Sequence, residues 1–321
     1  MRIKMLSAFV LCFVLGAACA TTAPKATPPN TQLLPEGLMP LGQAKVWPLS
    51  DGEVQLKPSL FQGLPAEEKL KILALEVEED DLPTSVNVYF VELGEHRILI
   101  DAGCGAFMRF MGPNTGLLAS ALAAKNIAPE SIDTVLLTHL HGDHFGGLIQ
   151  EDGGLLLPNA TVWVHETELG FWTSPQLVNS RPEGERESFA ELQKGVMLFV
   201  STLGKKLQTF SSGQTVVPGI QAIHAPGHTP GHSVFMLESE GQQLLVWGDL
   251  MHNLQMQTAH PKVYFLFDSH PDMAVATRLQ WMGKAAKEGF WIAGMHLPHP
   301  GIGRLQKQAG EKFHFLPVEQ K

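Results

Sequence analysis

The run Thr138-His139-Leu140-His141-Gly142-Asp143-His144 puts four potential metal ligands, His139, His141, Asp143 and His144, within six positions. Buried ionisable groups must be paired or bound to something, so ordinary core packing does not account for such a run. Neither does a helix face, which brings together residues three or four apart. On a tight loop the alternation aims His139 and His141 at one ion and Asp143 and His144 at a neighbouring one, with Gly142 letting the backbone turn between the pairs. Three further pieces could complete the site. Ala225-Pro226-Gly227-His228-Thr229-Pro230-Gly231-His232 is a tight loop with His228 at its apex. Val246-Trp247-Gly248-Asp249 ends a strand on a carboxylate, although a lone Asp there is by itself an ordinary turn residue. Gly294-Met295-His296-Leu297-Pro298-His299-Pro300-Gly301 carries an imidazole from a strand end into a proline-rich loop. Imidazole and carboxylate donors without thiolate suit Zn²⁺, Mn²⁺, Fe or Co²⁺. Two such ions about 3.5–4 Å apart share a water, lower its pKa towards neutrality and stabilise the oxygen that gains charge during hydrolysis.

The elements around these pieces read as strands feeding loops. Ser85 to Leu93 and Arg97 to Asp101 are β-rich and flank the turn Gly94-Glu95, a hairpin signal. Leu117, Leu118, Ala121 and Leu122 recur at helical spacing within Gly116 to Lys125. Thr134 to Leu137 is a continuous apolar run, as in a strand covered on both faces. The strand Ala160 to Val164 follows, and then Thr167 to Lys206, read as a partly helical insertion suited to a substrate lid. Further strands are expected at Ile220 to His224, Ser233 to Leu237 and Gln243 to Trp247, then a helix over Asp272 to Lys287 and a strand at Phe290 to Ala293. Gly37 to Lys71 is mixed, with a helix possible only over Ala66 to Leu75. Hairpins alternating with helices, without an internal repeat, predict an α/β sandwich in one domain. Each ligand cluster falls just after a strand, where a rigid sheet presents loop residues.

Composition narrows the function classes. A 44% hydrophobic and 17% charged chain of 321 residues is that of a globular protein with a large core. A formal net charge of -9 without any basic run disfavours nucleic acid as a partner. Residues 1–20 read as a signal peptide: Arg2 and Lys4, the apolar run Met5 to Ala18, and the small-residue site Ala18-Cys19-Ala20. Cleavage after Ala20 is one reading; a lipoprotein acylated at Cys19 is the other, and that lipid anchor would be the chain's only tie to a membrane. Residues 21–36 form a Thr/Pro/Ala-rich tether, and 37–321 the catalytic domain. The protein is therefore expected to be exported, periplasmic or lipid-anchored. Of three cysteines, Cys12 and Cys19 fall in the leader and Cys104 has no evident partner, so a disulfide framework and a cysteine zinc site are both excluded.

In this order the four pieces resemble the metallo-β-lactamase-fold hydrolase superfamily, from about Ser85 to Phe315, with H-x-H-x-D-H as the specific core motif. The resemblance implies an αββα sandwich with two metal ions, most simply Zn²⁺, at one edge of its sheets. It implies that His139, His141 and His228 hold the first ion and Asp143, His144 and His296 the second, with Asp249 bridging. Leu99-Ile100-Asp101-Ala102-Gly103, Gly146-Gly147-Leu148, Gly248-Asp249-Leu250-Met251-His252, Phe267-Asp268 and His296-Leu297-Pro298 followed by Pro300-Gly301-Ile302-Gly303 are similar to methyl parathion hydrolases and quorum-quenching lactonases. That narrower likeness gives Asp143 a proton-shuttling role, Asp249 a place in catalysis, and a homodimer as a further expectation. His299 stands where these relatives carry an aromatic residue. Asp101 is expected to orient a ligating imidazole. His232 is expected to pack beneath the second loop against backbone, with support of the ligands as the sharper reading; His165 and His252 are read in the same way. Phe171 and Trp172 are read as core or as apolar lid residues, and with His299 they are the candidate substrate pocket.

The activity so implied is metal-dependent hydrolysis of a small ester-like substrate: a lactone, carboxylic ester or phosphotriester. A β-lactamase is the enzymatic alternative, disfavoured by the carboxylate of Asp249. Nuclease action is opposed by the charge, and an electron-transferring di-iron centre by the lack of room for a flavin domain. A non-catalytic metal-binding envelope protein is opposed by the full ligand set.

Overall fold

A computed structural model of the chain describes residues 37–112 and 114–319; the leader and tether proposed for residues 1–36 lie outside the described residues. The first half supplies β1 (Met39–Leu41), β2 (Ala44–Leu56), β3 (Phe61–Gln62), α1 (Ala66–Leu73), β4 (Leu82–Leu93), β5 (His96–Ile100), β6 (Asn114–Thr115), α2 (Leu118–Ala124), β7 (Thr134–Leu136), α3 (Gly142–Phe145), β8 (Thr161–His165), α4 (Glu166–Trp172), α5 (Arg186–Leu203) and β9 (Leu207–Phe210). The second half supplies β10 (Thr215–Val217), β11 (Ile220–His224), β12 (Ser233–Ser239), β13 (Gln242–Val246), α6 (Leu254–Ala259), β14 (Tyr264–Phe265), α7 (Pro271–Glu288), β15 (Trp291–Ala293), β16 (Ile302–Lys307) and β17 (Phe313–Pro317).

One sheet runs β1-β2-β4-β5-β7-β8-β9, with β6 on β2; the other runs β10-β11-β12-β13-β15-β16-β17. Side chains alternate across a strand, so each strand covered on both sides feeds two cores. Tyr89, Val91, Ile98, Ile100 and Leu136 meet Phe235, Leu237, Leu244, Val246 and Ala293 between the sheets. Their neighbours Val88, Phe90, Leu99 and Val135 point outward onto Leu118, Leu122, Val196 and Phe199 of α2 and α5. Val234, Met236, Leu245 and Ile292 point outward onto Trp281, Met282 and Ala285 of α7. The expected αββα sandwich is the observed architecture. Among the described residues no helix is long and apolar enough to cross a membrane.

The expected strands and helices lie where the apolar patterning put them. The N-terminal stretch that read as mixed is instead a long strand, β2, paired with β4 from Lys45↔Glu92 to Leu56↔Leu82. Pro48 and Ser50-Asp51-Gly52 disguise it. Pro48 lies beyond the short pairing of β1 with residues 44–46, where no outer neighbour needs its missing N–H. The register shifts between Ser50 and Glu53, a bulge that turns the buried Asp51 inward.

Candidate metal centre

The clusters converge because the strands before them lie side by side. β7 delivers His139 and His141 and leads into α3 with Asp143 and His144; the β11–β12 loop delivers His228, the turn after β13 delivers Asp249, and the loop after β15 delivers His296. β13 and β15 are paired in parallel, so both release their loops at the same end of the sheet. Potential ligand atoms gather in overlapping groups: His139, His141, His228 and Asp249; Asp143, His144 and His296; Asp249, His252 and His296.

Outer hydrogen bonds fix the tautomers. His228 Nδ1 donates to Asp268 Oδ1 at 2.8 Å, His144 Nδ1 to Asp101 Oδ2 at 2.6 Å, and His296 Nδ1 to the Ser85 carbonyl at 3.0 Å. Thr138 Oγ1 donates to Asp101 Oδ2 at 2.7 Å, which leaves its oxygen to accept from His139 Nδ1 at 3.1 Å. In its neutral form each of these rings therefore presents a bare Nε2 lone pair to the centre. These lone pairs face other electron-rich atoms. His139 Nε2 and His228 Nε2 each lie 3.0 Å from His141 Nδ1. His296 Nε2 lies 3.3 Å from both Asp143 Oδ2 and Asp249 Oδ2. Asp249 presents Oδ2 to His228 Nε2 and Oδ1 to His144 Nε2, at 3.3 Å each. His144 Nε2 and Asp249 Oδ1 are buried without a hydrogen bond. Positive charge stabilises such an arrangement, as protons on His144, His228 and His296 or as metal ions in their place, and the donor set suits divalent metal ions.

The titration behaviour has the same cause. Burial opposes charge on each imidazole, yet Asp249 and Asp143 hold His296 up to about 10, and Asp249 and Asp268 hold His228 up to about 9. His141 goes down to about 3 because burial and then His228 disfavour its charge. Burial would raise Asp143 and Asp249, but His144 and His296 keep both below the usual carboxylate range.

Supporting residues stand behind these groups. Asp101 adopts φ 56, a left-handed conformation that Asp tolerates better than most residues. This turns its carboxylate from the end of β5 to Thr138 N, which donates to Oδ1 at 2.7 Å, and to His144. His232, wholly buried, donates from Nδ1 to the Ala225 carbonyl at 3.0 Å and accepts from Asp249 N at 2.9 Å through Nε2. It thus fixes both the second loop and the backbone of Asp249. Gly248, at φ +56, is required here: a Cβ would lie 2.5 Å from His232 Nε2.

Two expectations are corrected, the backbone freedom asked of Gly142 and the lid reading of Trp172, while Phe171 and His165 take the core and backbone-bonded readings. Gly142 opens the helical turn α3 and is not among the left-handed residues; space selects it, because a Cβ would lie 2.8 Å from Phe107 Cε1 and Met108 Sδ. Trp172 is not a lid residue facing solvent. It is 1% exposed, packs in the core beneath α5, and donates its indole N–H to Glu168 at 2.8 Å. Phe171 is half-buried against the same core, with the Arg181 guanidinium 5.4 Å from its ring centre. His299 is exposed and bonds through Nδ1 to Asn87 Oδ1 at 2.8 Å. His165 stacks on His224 at 4.4 Å and caps α4 by accepting from Thr167 N.

His252, which the sequence marked as a possible support, and Asn87 and Tyr89, which it did not mark, matter as much. His252 lies in the cluster, its Nε2 3.1 Å from Asp249 Oδ2, its ring stacked on Phe265 at 4.1 Å and on His296 at 5.3 Å. Asn87 Nδ2 donates to the Gly294 and Leu297 carbonyls at 3.0 and 2.7 Å, pinning the His296 loop, and Tyr89 Oη donates to the Gly294 carbonyl at 2.9 Å. The sequence held a further clue in the Phe267-Asp268 pair, whose carboxylate proves to face His228.

Comparisons with known proteins agree with this geometry. The crystal structure of a hydrolase of the β-lactamase superfamily, AbOPH, is similar with a TM-score of 0.83 and 31% identity, over 88% of this chain and 97% of that one. AidC, a dizinc quorum-quenching lactonase solved with a product, gives a TM-score of 0.77 and 25% identity over the same shares. Among curated proteins, an atrochrysone carboxyl ACP thioesterase of Aspergillus fumigatus is 31% identical over 157 residues, 48% of this chain and 27% of that protein. An N-acyl homoserine lactonase of Bacillus sp is 30% identical over 112 residues, 35% of each chain. The match thus spans less than half of either curated relative. The profile of the metallo-beta-lactamase superfamily matches residues 81–280, and the chain belongs to that superfamily.

Proposed function

We propose that the protein is a dinuclear metal-dependent hydrolase of small, largely apolar ester-like molecules, with lactones, carboxylic esters and phosphotriesters as the substrate class. The observation that carries this reading is Asp249, which turns one oxygen to His228 and the other to His144, as a carboxylate shared by two ions would. His139, His141 and His228 hold the first ion as neutral imidazoles; Asp143, His144 and His296 hold the second. When bound, a pair of divalent ions, most simply Zn²⁺, supplies an activated water and Lewis-acid stabilisation of the oxygen that gains charge. The Asp143 side chain is 17% exposed, against 3% for Asp249, so of the two carboxylates it is the one a leaving group can reach, and it is assigned the transfer of the proton. His252, between Phe265 and His296, and the exposed Leu266, Phe267 and Met273 near the His228 loop offer an apolar rim for the rest of the substrate. The lactonase and hydrolase relatives support the same class. The test combines metal analysis of the purified chain with a panel of lactones, aryl esters, thioesters, phosphotriesters and β-lactams. Two ions per chain and turnover abolished by chelation are expected. Tight metal binding with no turnover anywhere on the panel would refute hydrolysis of these classes, and preference for β-lactams would replace the substrate assignment.

A further inference from the structure

Glu168, on α4, has no exposed surface, yet it carries a carboxylate. Its oxygens reach two loops distant in sequence. Oε1 accepts from Leu140 N at 3.0 Å and from Trp172 Nε1 at 2.8 Å. Oε2 accepts from Thr229 Oγ1 at 2.7 Å and from Gly231 N at 2.9 Å. Leu140 stands between His139 and His141, and Thr229 follows His228 directly. One side chain therefore ties together the backbones of both loops whose imidazoles converge on His141 Nδ1. Three of the four donors are N–H groups that cannot accept, and the ionised carboxylate accepts from all four, whereas a protonated one would have to reverse the bond to Thr229 Oγ1. The four bonds favour the ionised form, while burial, the larger effect, pushes the carboxyl above its ordinary range. A buried charge is weak evidence for stability alone, because an apolar side chain of similar volume serves a core as well.

We propose that Glu168 is a positioning residue for the ion held by His139, His141 and His228: its charge and four hydrogen bonds lock the two loops together and set the affinity of that half of the centre. The inference rests on the two-ion reading above. It goes further by assigning one half of the site a charged clamp that touches neither ion nor substrate. Asp51 provides the contrast. It is equally buried and accepts from Cys104 N, Gly116 N and Leu118 N, none of which adjoins a ligand.

The test is a titration of the metal-free full chain with Zn²⁺, followed by calorimetry, and with Co²⁺, followed by its visible absorption, alongside thermal unfolding of the metal-free forms. Wild type should show two binding events. Glu168→Gln keeps the volume but loses the charge, and should weaken one event by roughly 10- to 100-fold, with a changed Co²⁺ spectrum for that ion. Thr229→Val removes one bond and keeps the carboxylate, so the same event should weaken less. Asp51→Asn should lower the unfolding temperature while leaving both events in place. Glu168→Gln with both affinities as in wild type, or weakened no more than in Asp51→Asn, overturns the proposal. If Glu168→Gln does not fold, unchanged binding by Thr229→Val overturns it. Loss of both events in Glu168→Gln to the same degree also counts against a clamp specific to one half. A wild type that binds fewer than two ions instead overturns the two-ion reading, a result read before any variant is compared.

Discussion

Asp268→Asn probes the outer bonds of the centre most directly. The carboxylate accepts from His228 Nδ1 at 2.8 Å through Oδ1 and from Phe265 N at 2.9 Å through Oδ2, with the buried Arg278 at 3.9 Å. An amide offers one acceptor where two N–H groups point. If its oxygen stays with His228, the NH₂ faces Phe265 N–H, and a buried donor left unpaired costs about 1–3 kcal/mol. If it turns, His228 must give up its Nδ1 proton and move it to Nε2, removing the lone pair that a metal needs. In both cases Arg278 loses its counter-charge and His228 loses a charge-assisted bond. Loss of such a carboxylate partner weakens metal binding by roughly 10- to 100-fold, or about 1.4–2.7 kcal/mol. The assay is chelator competition for Zn²⁺, paired with denaturant unfolding of the metal-free protein. Zinc affinity within about twofold of wild type would refute the reasoning even if stability fell, because the bond to His228 would then serve only the fold.

Two further outcomes follow from the same geometry. Asn87→Ala strips the Gly294 and Leu297 carbonyls of a buried donor. A loss of at least about 2 kcal/mol on denaturant unfolding is expected, with weaker binding at the His296 side; unchanged stability would mean that water replaces the amide. His165 is held down to about 4 by burial and then by the charge of its stacked neighbour His224. The unfolded chain takes up this proton near pH 6.5 and the folded chain only near 4. The stability linked to the neutral ring is therefore complete above about pH 6.5 and is lost as pH falls towards about 4. His165→Asn, which keeps an N-cap acceptor, should make that acid limb shallower by up to one proton; an unchanged slope would exclude His165 as its source.

Much of the centre is legible in the sequence, because its ligands come as short runs at strand ends. His139 to His144 are adjacent, their types are too costly to bury unpaired, and continuous apolar runs such as Thr134 to Leu137 mark the strands that present them. The two outer helix layers follow from the same patterning. β2 is hidden because its bulge and Pro48 break the alternation that marks a strand, and pairing with β4 along its length, with β1 and β6 on its other edge, stabilises it. Trp172 reads more readily as core than as lid from its type alone; its burial and a buried acceptor, Glu168, which satisfies the indole N–H, decide for the core.

What the sequence shows by itself is a candidate donor set of seven imidazoles and carboxylates without thiolate, in short runs after strands; the structure puts Asp143 and His144 on the turn α3 and adds His252 to the cluster. Which atoms turn inward was decided only by tertiary structure. The groups that orient the ligands lie far along the chain from them, Asp101 43 positions before His144, Asp268 40 positions after His228, and Asn87 210 positions before Leu297. Asp101 and Asp268 are marked only by the resemblance, and Asn87 and Glu168 carry no signal of such a partner in their neighbours. The role of each exists only once two sheets have packed and brought a buried lone pair within reach of the one proton that can satisfy it.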